Sequence, residues 1–313
     1  MTGLPRLLVV LGPTASGKSD LGIRLAEKLD GEILVCDSTQ VYRHFDIGTA
    51  KVPPKDQGGI PHHLTDLVEP DEIFTAGEYR QRAIKALEDL RRRKKLPIIT
   101  AGTGLYLRAL LEGLADAPAR SEELRERLRA RAERHGAASL HRLLARLDRE
   151  ASDRIAPRDT QKIIRAVEMR VLTGKPVSEI HGSGRNPLQG YDIRKIGLLP
   201  PRTRLYARID ARVEAMMAAG WADEVRGLIH RGVPASSKPF QFIGYSELRN
   251  RVEAEKDPKA AIPAIQQATR RFAKRQITWF RKEPIVHWLT GFGDEPEILA
   301  AALKVAQVRT QLP

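Results

Sequence analysis

Cysteine is almost missing from this 313-residue sequence, where Cys36 stands alone. A lone thiol excludes an internal disulfide framework and a cysteine-based zinc site. It suits a reducing compartment, so a cytoplasmic setting is expected. Long apolar runs are missing too. Leu7 to Leu11 is far shorter than a membrane span and leads into a glycine-rich turn instead of a cleavage site, so neither a membrane span nor a targeting segment is expected. Internal repeats and low-complexity tracts are absent. Acidic residues are few beside the basic ones: 39 Asp and Glu face 53 Lys and Arg, a formal charge of +14. That excess points to a polyanion as partner, with RNA, DNA and an anionic surface all open.

The length suffices for a full core, in one large domain plus a smaller one or an insertion. Leu7 to Leu11, Glu32 to Cys36, Leu96 to Ala101, Lys195 to Leu199 and Ile285 to Leu289 are short continuous apolar or β-branched runs, the pattern of buried strands. Helical spacing fills Asp20 to Leu29 and Ala76 to Lys95 between the first three. Such alternation predicts an α/β fold with a parallel sheet flanked by helices. From Ser121 to Thr173 the pattern is charge-laced helix with no strand, over Glu122 to His135, Ala138 to Arg149 and Asp159 to Thr173. Gly174 to Gly190 is rich in Gly, Pro and Asn, and strand character returns at Ile193. The expected organisation is a discontinuous core, 1–115 and 191–313, carrying an all-helical insertion over 116–190. The five cations Arg91 to Lys95 read as a solvated helix C-terminus whose partial negative charge they complement.

Gly12-Pro13-Thr14-Ala15-Ser16-Gly17-Lys18-Ser19 follows an apolar strand and opens a helix. It fits the P-loop pattern, in which backbone N–H groups converge on phosphate oxygens at the positive end of a helix. Lys18 is placed to neutralise the outer phosphate and the Ser19 hydroxyl to hold Mg²⁺. A nucleoside triphosphate is the usual occupant, and the geometry serves any diphosphate equally. Asp37 follows the second strand at a carboxyl end, where open α/β sheets place ligands. It reads either as a base or as a magnesium partner or helix cap. Thr103, after the third strand, can offer its hydroxyl to a phosphate or a substrate.

Near the C-terminus, Arg271, Lys274, Arg275, Arg281 and Lys282 fall within an arc of about 120° on a helix of about 100° per residue, with Phe272 and Trp279 beside them. The face suits phosphate contact combined with base stacking. It equally suits an amphipathic helix whose aromatics are core and whose cations are solvated. Gln161, Lys162 and Arg165 form a second polar cluster in the helical region. A kinase and a nucleotide-switched RNA-binding module share the loop and the core, and the charge favours an RNA partner over a small metabolite.

Four segments carry a resemblance that covers nearly the whole chain: Gly12 to Ser19; Asp37-Ser38-Thr39-Gln40-Val41-Tyr42 with Asp46-Ile47-Gly48-Thr49-Ala50-Lys51; Ala101 to Tyr106; and Lys274-Arg275-Gln276-Ile277-Thr278-Trp279-Phe280-Arg281. On these the chain resembles the bacterial tRNA dimethylallyltransferases, also called tRNA isopentenyl transferases. The resemblance implies a P-loop, kinase-like core with a helical insertion that grips the anticodon stem. It implies transfer of a dimethylallyl group from dimethylallyl diphosphate to N6 of the adenosine at position 37 of tRNAs that read codons beginning with U. The P-loop then holds the diphosphate with Mg²⁺ on Ser19, ATP hydrolysis is not implied, and a monomer is expected. By position, Asp37 corresponds to the general base, Thr103 to a residue placing acceptor and diphosphate, and Arg212 to an arginine on the pyrophosphate. Implied tRNA contacts are Asp37, Ser38, Thr39, Gln40, Thr103, Arg125, Gln161, Lys162, Ile163, Ile164, Arg165, Gln241, Gly244, Tyr245, Lys274, Arg275, Gln276, Thr278, Trp279 and Arg281. The chain departs from the family pattern at Ala101, at His44-Phe45 and at Ser246, where a lysine or arginine is usual.

Overall fold

Six short strands pair into one parallel sheet in a computed structural model that describes residues 4–115, 117–182 and 185–307. They are β1 (Arg6–Leu11), β2 (Gly31–Cys36), β3 (His62–His63), β4 (Leu96–Ala101), β5 (Asp192–Leu198) and β6 (Val286–Leu289), in the spatial order β3-β2-β4-β1-β5-β6. The register sets Leu11 beside Ala101 and Cys36 beside the same Ala101, so the carboxyl ends of β1, β4 and β2 lie level. β2 is buried throughout and β1 and β4 from their second residues on. That is why they read as unbroken apolar runs without alternation. β3 escapes the sequence pattern because its two histidines carry no apolar signal.

Helices α1 (Lys18–Leu29), α2 (Ala76–Arg92) and α3 (Gly104–Glu112) follow β1, β3 and β4. A Thr75–Glu78 capping box starts α2. Further helices are α4 (Glu122–His135), α5 (Ala137–Leu147), α6 (Arg149–Arg154), α7 (Thr160–Thr173), α8 (Val177–Gly182), α9 (Arg202–Ala218), α10 (Trp221–His230), α11 (Tyr245–Glu253), α12 (Ile262–Phe280) and α13 (Pro296–Gln307). Leu21 and Leu25 of α1 and Ile298 and Ala302 of α13 pack on Leu8, Val10, Ile33, Ile98 and Ile196 of the sheet. Full burial of each Leu or Ile contributes about 1.5–3 kcal/mol, so this layer holds α1 and the loop before it in place. The cations after α2 are not simply solvated. Arg93 forks onto the buried Glu32 of β2, with one bond of 2.8 Å, and His63 reaches the same carboxylate at 2.7 Å. The Arg93 hydrogen bonds hold the Glu32 carboxyl down at about 2 against the opposing effect of burial.

Two compact units emerge, residues 112–188 forming one and the remainder the other. The smaller unit is built from α4 to α8 around Leu128, Leu140, Leu144, Ile163, Ile164, Val167 and Met169. The run expected as one helix over 138–149 is two. Asp148 stops α5 and caps α6, accepting the Ala151 N–H at 2.9 Å, while its other oxygen accepts the Val177 N–H at 2.6 Å. A short polar side chain here outcompetes the continuing helix for backbone donors. In the same core Glu168 is 0 % exposed. Arg125 grips it with two bonds of 2.8 and 2.7 Å, Arg165 adds one of 2.5 Å, and the Ser121 N–H donates at 2.8 Å.

In the larger unit, the loop between β6 and α13 presses on the P-loop. The Gly293 N–H donates to the Ser16 carbonyl at 2.9 Å, and a Cβ on Gly293 would lie 2.0 Å from the Gly17 carbonyl oxygen. Arg24 donates to the Asp294 carbonyl at 2.9 Å, and Arg208 forks onto the Asp294 carboxylate at 2.7 and 3.0 Å while stacking on Phe292.

Two outcomes are expected. Burial raises the Glu168 pKa, and its arginine and amide hydrogen bonds outweigh that and hold it at about 2, below the ordinary 4.5. The unfolded chain therefore protonates first, so this stabilisation is complete above about pH 4.5 and is lost as pH falls toward 2. Glu168→Gln should lose about 3 kcal/mol at neutral pH, and urea denaturation across pH should show the gap to wild type closing in that acid window. Gly293→Ala should cost about 1–3 kcal/mol through backbone overpacking, read as a lower thermal midpoint.

Candidate active site

The cradle begins where β1 ends. Ala15 and Gly17 take left-handed backbone angles, φ 61° and 83°, and turn the chain so that α1 starts at Lys18 with its first amides directed back into the loop. Lys18 Nζ donates to the Pro13 carbonyl at 2.8 Å. Burial pulls the Lys18 ammonium down to about 8, and the nearby Arg212 charge pulls the same way against the opposing pull of Asp37. Arg212 projects from α9, and the Ser16 hydroxyl is buried in the loop with no partner.

Asp37 leaves the end of β2. Its Oδ1 accepts the Thr39 N–H at 2.9 Å and the Thr39 hydroxyl at 2.7 Å, and its Oδ2 lies so close to Gly102 that a Cβ there would sit 2.4 Å away. Only glycine leaves that oxygen room. The Thr103 hydroxyl accepts the Ser38 N–H at 2.9 Å and donates to Ser38 Oγ at 3.2 Å, so it joins the ends of β2 and β4. Behind Asp37 the thiol of Cys36 is pushed by burial up to about 12, which leaves it a neutral spectator.

α12 closes the site. Its Gln276 accepts the Thr14 N–H at 2.8 Å and donates to the Gly102 carbonyl at 2.8 Å. Arg271, Lys274, Arg275, Thr278 and Trp279 are exposed on the same helix, with Arg281 just past its end. Thr278 turns its hydroxyl back to the Lys274 carbonyl at 3.0 Å. Trp279 lies flat against Gly104, and the Arg108 guanidinium stands 5.2 Å from its ring centre. A cavity of about 900 Å³ joins these parts. Thr14, Ala15, Lys18, Ser19, Asp37 to Gln40, Thr103, Arg212, Gln241, Arg275, Gln276 and Trp279 all line it, and Met216, Trp221, Phe242 and Phe272 add apolar wall.

Other expected positions have structural occupations. Gln40 donates to the Thr49 carbonyl at 3.1 Å, and Gln241 accepts from Lys238 at 3.2 Å. Gly244 lies against the Trp221 indole, and the Tyr245 hydroxyl, fully buried, donates to Glu224 at 2.6 Å and accepts the Gly48 N–H at 3.1 Å. Arg125 and Gln161 to Arg165 belong to the smaller unit. There Ile163 and Ile164 are core residues, Arg125 and Arg165 hold Glu168, and Gln161 and Lys162 face outward, the latter paired with Asp159 at 2.6 Å. Of the three departures, Ala101 is buried in β4, Phe45 is core beside a His44 with φ 68°, and Ser246 donates to Glu247 at 2.8 Å. Sequence reasoning overlooked the 291–294 brace, whose only signal was two glycines flanking Phe292. It also overlooked Trp221 and Glu224, which hold the 46–48 segment and read as ordinary helix residues.

The chain is similar to known proteins over nearly its whole length. The IPP transferase family model matches residues 40–283. A tRNA dimethylallyltransferase of Solibacter usitatus is 50 % identical over 297 residues, 95 % of this chain and 96 % of that one. The crystal structure of a tRNA isopentenylpyrophosphate transferase from Bacillus halodurans superposes with a TM-score of 0.70 at 34 % identity, covering 96 % of this chain and 95 % of that one. A eukaryotic dimethylallyltransferase acting on tRNA superposes with a TM-score of 0.78 at 27 % identity, covering 91 % of this chain and 74 % of that one. With its P-loop, its Asp37 and its basic helix gathered in one fold, the chain belongs to the IPP transferase family.

Proposed function

We propose that this protein is a tRNA dimethylallyltransferase that moves the dimethylallyl group of dimethylallyl diphosphate onto N6 of the adenosine at position 37 of tRNAs reading codons that begin with U, releasing diphosphate. The observation that carries it is a single cavity in which a cationic phosphate cradle and the Asp37 carboxylate are both exposed, beneath a helix edged with cations and Trp279. The adenine amine is a weak nucleophile because its lone pair is delocalised. Asp37, held by Thr39, accepts the amine proton as nitrogen bonds to the allylic carbon. The carbon–oxygen bond breaks and its electron pair leaves with the diphosphate, whose growing charge meets the P-loop amides, Lys18 and Arg212. The base is first turned out of the stacked anticodon loop, and Trp279 with Arg271, Lys274 and Arg275 gives it a platform and its phosphates a rim.

Magnesium belongs to the same proposal. Among the described residues no three His, Cys, Asp or Glu side chains cluster as ligands. That donor set fits an ion held by the Ser19 hydroxyl and otherwise by phosphate oxygens and water. When bound, it supplies positive charge to the leaving diphosphate. No helix among the described residues is long and apolar enough to cross a membrane, and a cytoplasmic monomer is the state in which the enzyme is proposed to work.

Asp37→Ala should lower prenyl transfer by about 10² to 10⁴-fold while tRNA binding persists, measured by mass spectrometry of anticodon-loop fragments and by filter binding. Near-normal turnover would remove Asp37 from the mechanism. Because burial pulls Lys18 down to about 8, its ammonium is mostly charged near pH 7 and loses its charge as pH rises through 8. Affinity for the prenyl diphosphate should therefore fall about tenfold per pH unit above 8, and a proton should be taken up on binding there. Calorimetry of Lys18→Ala should show weaker binding at pH 7 and a flat profile. Labelled ATP and a metabolite panel, run beside prenyl diphosphate and tRNA, separate transfer from kinase chemistry.

A further inference from the structure

We infer that Gln276, resting on the prenyl-transfer reading of the site, is a positioning residue that locks the diphosphate cradle to the base-bearing turn, and that it is not an RNA contact. Its neighbours on α12, Lys274, Arg275, Thr278 and Trp279, are exposed, whereas Gln276 points the other way and is 6 % exposed. Both ends of its amide are spent inside the protein. The oxygen takes the Thr14 N–H and the nitrogen gives to the Gly102 carbonyl, each at 2.8 Å. One rigid planar group therefore spans the two halves of the chemistry. Thr14 belongs to the loop that holds the leaving group, and Gly102 is the residue against which Asp37 Oδ2 is seated.

Two consequences follow from the chemistry of that bridge. A Thr14 N–H bound to Gln276 is not available to phosphate, and the Ser16 N–H already meets the Pro13 carbonyl at 3.3 Å, so oxygen recognition falls to the other loop amides and those at the start of α1 together with Lys18. The distance from allylic carbon to base also depends on the bridge. A displacement of about 1 Å between reacting groups costs about 10²-fold in rate. Removing either bond leaves a buried backbone group unpaired, which the loop can relieve only by moving.

The test compares Gln276→Leu and Gln276→Glu with wild type, using steady-state transfer to tRNA, tRNA affinity, and calorimetry with dimethylallyl diphosphate. For Gln276→Leu, kcat should fall about 10²-fold with tRNA affinity within about twofold of wild type. Gln276→Glu keeps an acceptor for Thr14 but, when ionised, turns a second acceptor toward the Gly102 carbonyl. Its activity relative to wild type should therefore recover as pH falls and the introduced carboxyl regains a proton to donate. A passive packing role predicts no such pH dependence. If Gln276→Leu fails to fold, the pH profile of Gln276→Glu alone decides, and a flat profile overturns the inference. A tenfold loss of tRNA affinity with unchanged kcat makes Gln276 an RNA contact and overturns it, as do unchanged kinetics. Should wild type transfer no prenyl group, the proposed function fails by itself. Weakened diphosphate binding by Gln276→Leu then still supports the bridge, and unchanged binding refutes it.

Discussion

A phosphate cradle gathers buried positive charge in one place, and that constraint governs the rest of the structure. The Gly12–Ser19 loop gathers helix-end amides, Lys18 and Arg212 in one enclosed place. Burial pulls Lys18 down to about 8, and Arg212 adds to that pull. Asp37 opposes it from across the cavity, and Lys18 donates to the Pro13 carbonyl. In the proposed reaction a diphosphate leaving group complements that charge, most strongly as its own negative charge grows while the bond to carbon breaks.

A site of that kind must be rigid before the ligand arrives, since donors that have to be reoriented during reaction lose their advantage. The rigidity comes from outside the loop. The Gly293 N–H fixes the Ser16 carbonyl, Gln276 fixes the Thr14 amide, and the packing of α1 and α13 on the sheet fixes the helix that supplies the dipole. Sheet order supplies the spacing. β4 lies between β1 and β2, so the cradle at the end of β1 and Asp37 at the end of β2 stand two strand spacings apart, roughly 10 Å. That gap suits the proposed transfer, in which a small allylic group lies between a diphosphate and a base edge. Gly102 and Thr103, at the end of the intervening strand, are the floor of the gap.

The smaller unit uses charge differently. Glu168 is buried and satisfied by two arginines and a backbone amide, a closed arrangement with no lone pair left for a ligand. Arg125 ties α4 to Glu168 of α7, and Arg165 holds the same carboxylate from its own helix and the Pro118 carbonyl at 3.0 Å, while Gln161 and Lys162 stay outward.

Local chemistry alone determined a good deal. Short continuous apolar runs alternating with helical stretches suit buried parallel strands, so β1, β2 and β4 were legible within a residue or two, as were α4 and α7 from their caps and period. The loop Gly12 to Ser19 was legible because phosphate binding is done by consecutive backbone amides, which a contiguous motif encodes. The seating of Asp37, the bridge and the brace were another matter. The sequence leaves Asp37 as a base or a cap, and only the fold brings Gly102 against its Oδ2. Gln276 is one residue among helix cations until the fold turns it inward, and Gly293 lies far along the chain from the carbonyl it holds. Those relations join residues tens to hundreds of positions apart, and a hydrogen bond depends on distance and direction that no neighbouring residue in the sequence specifies.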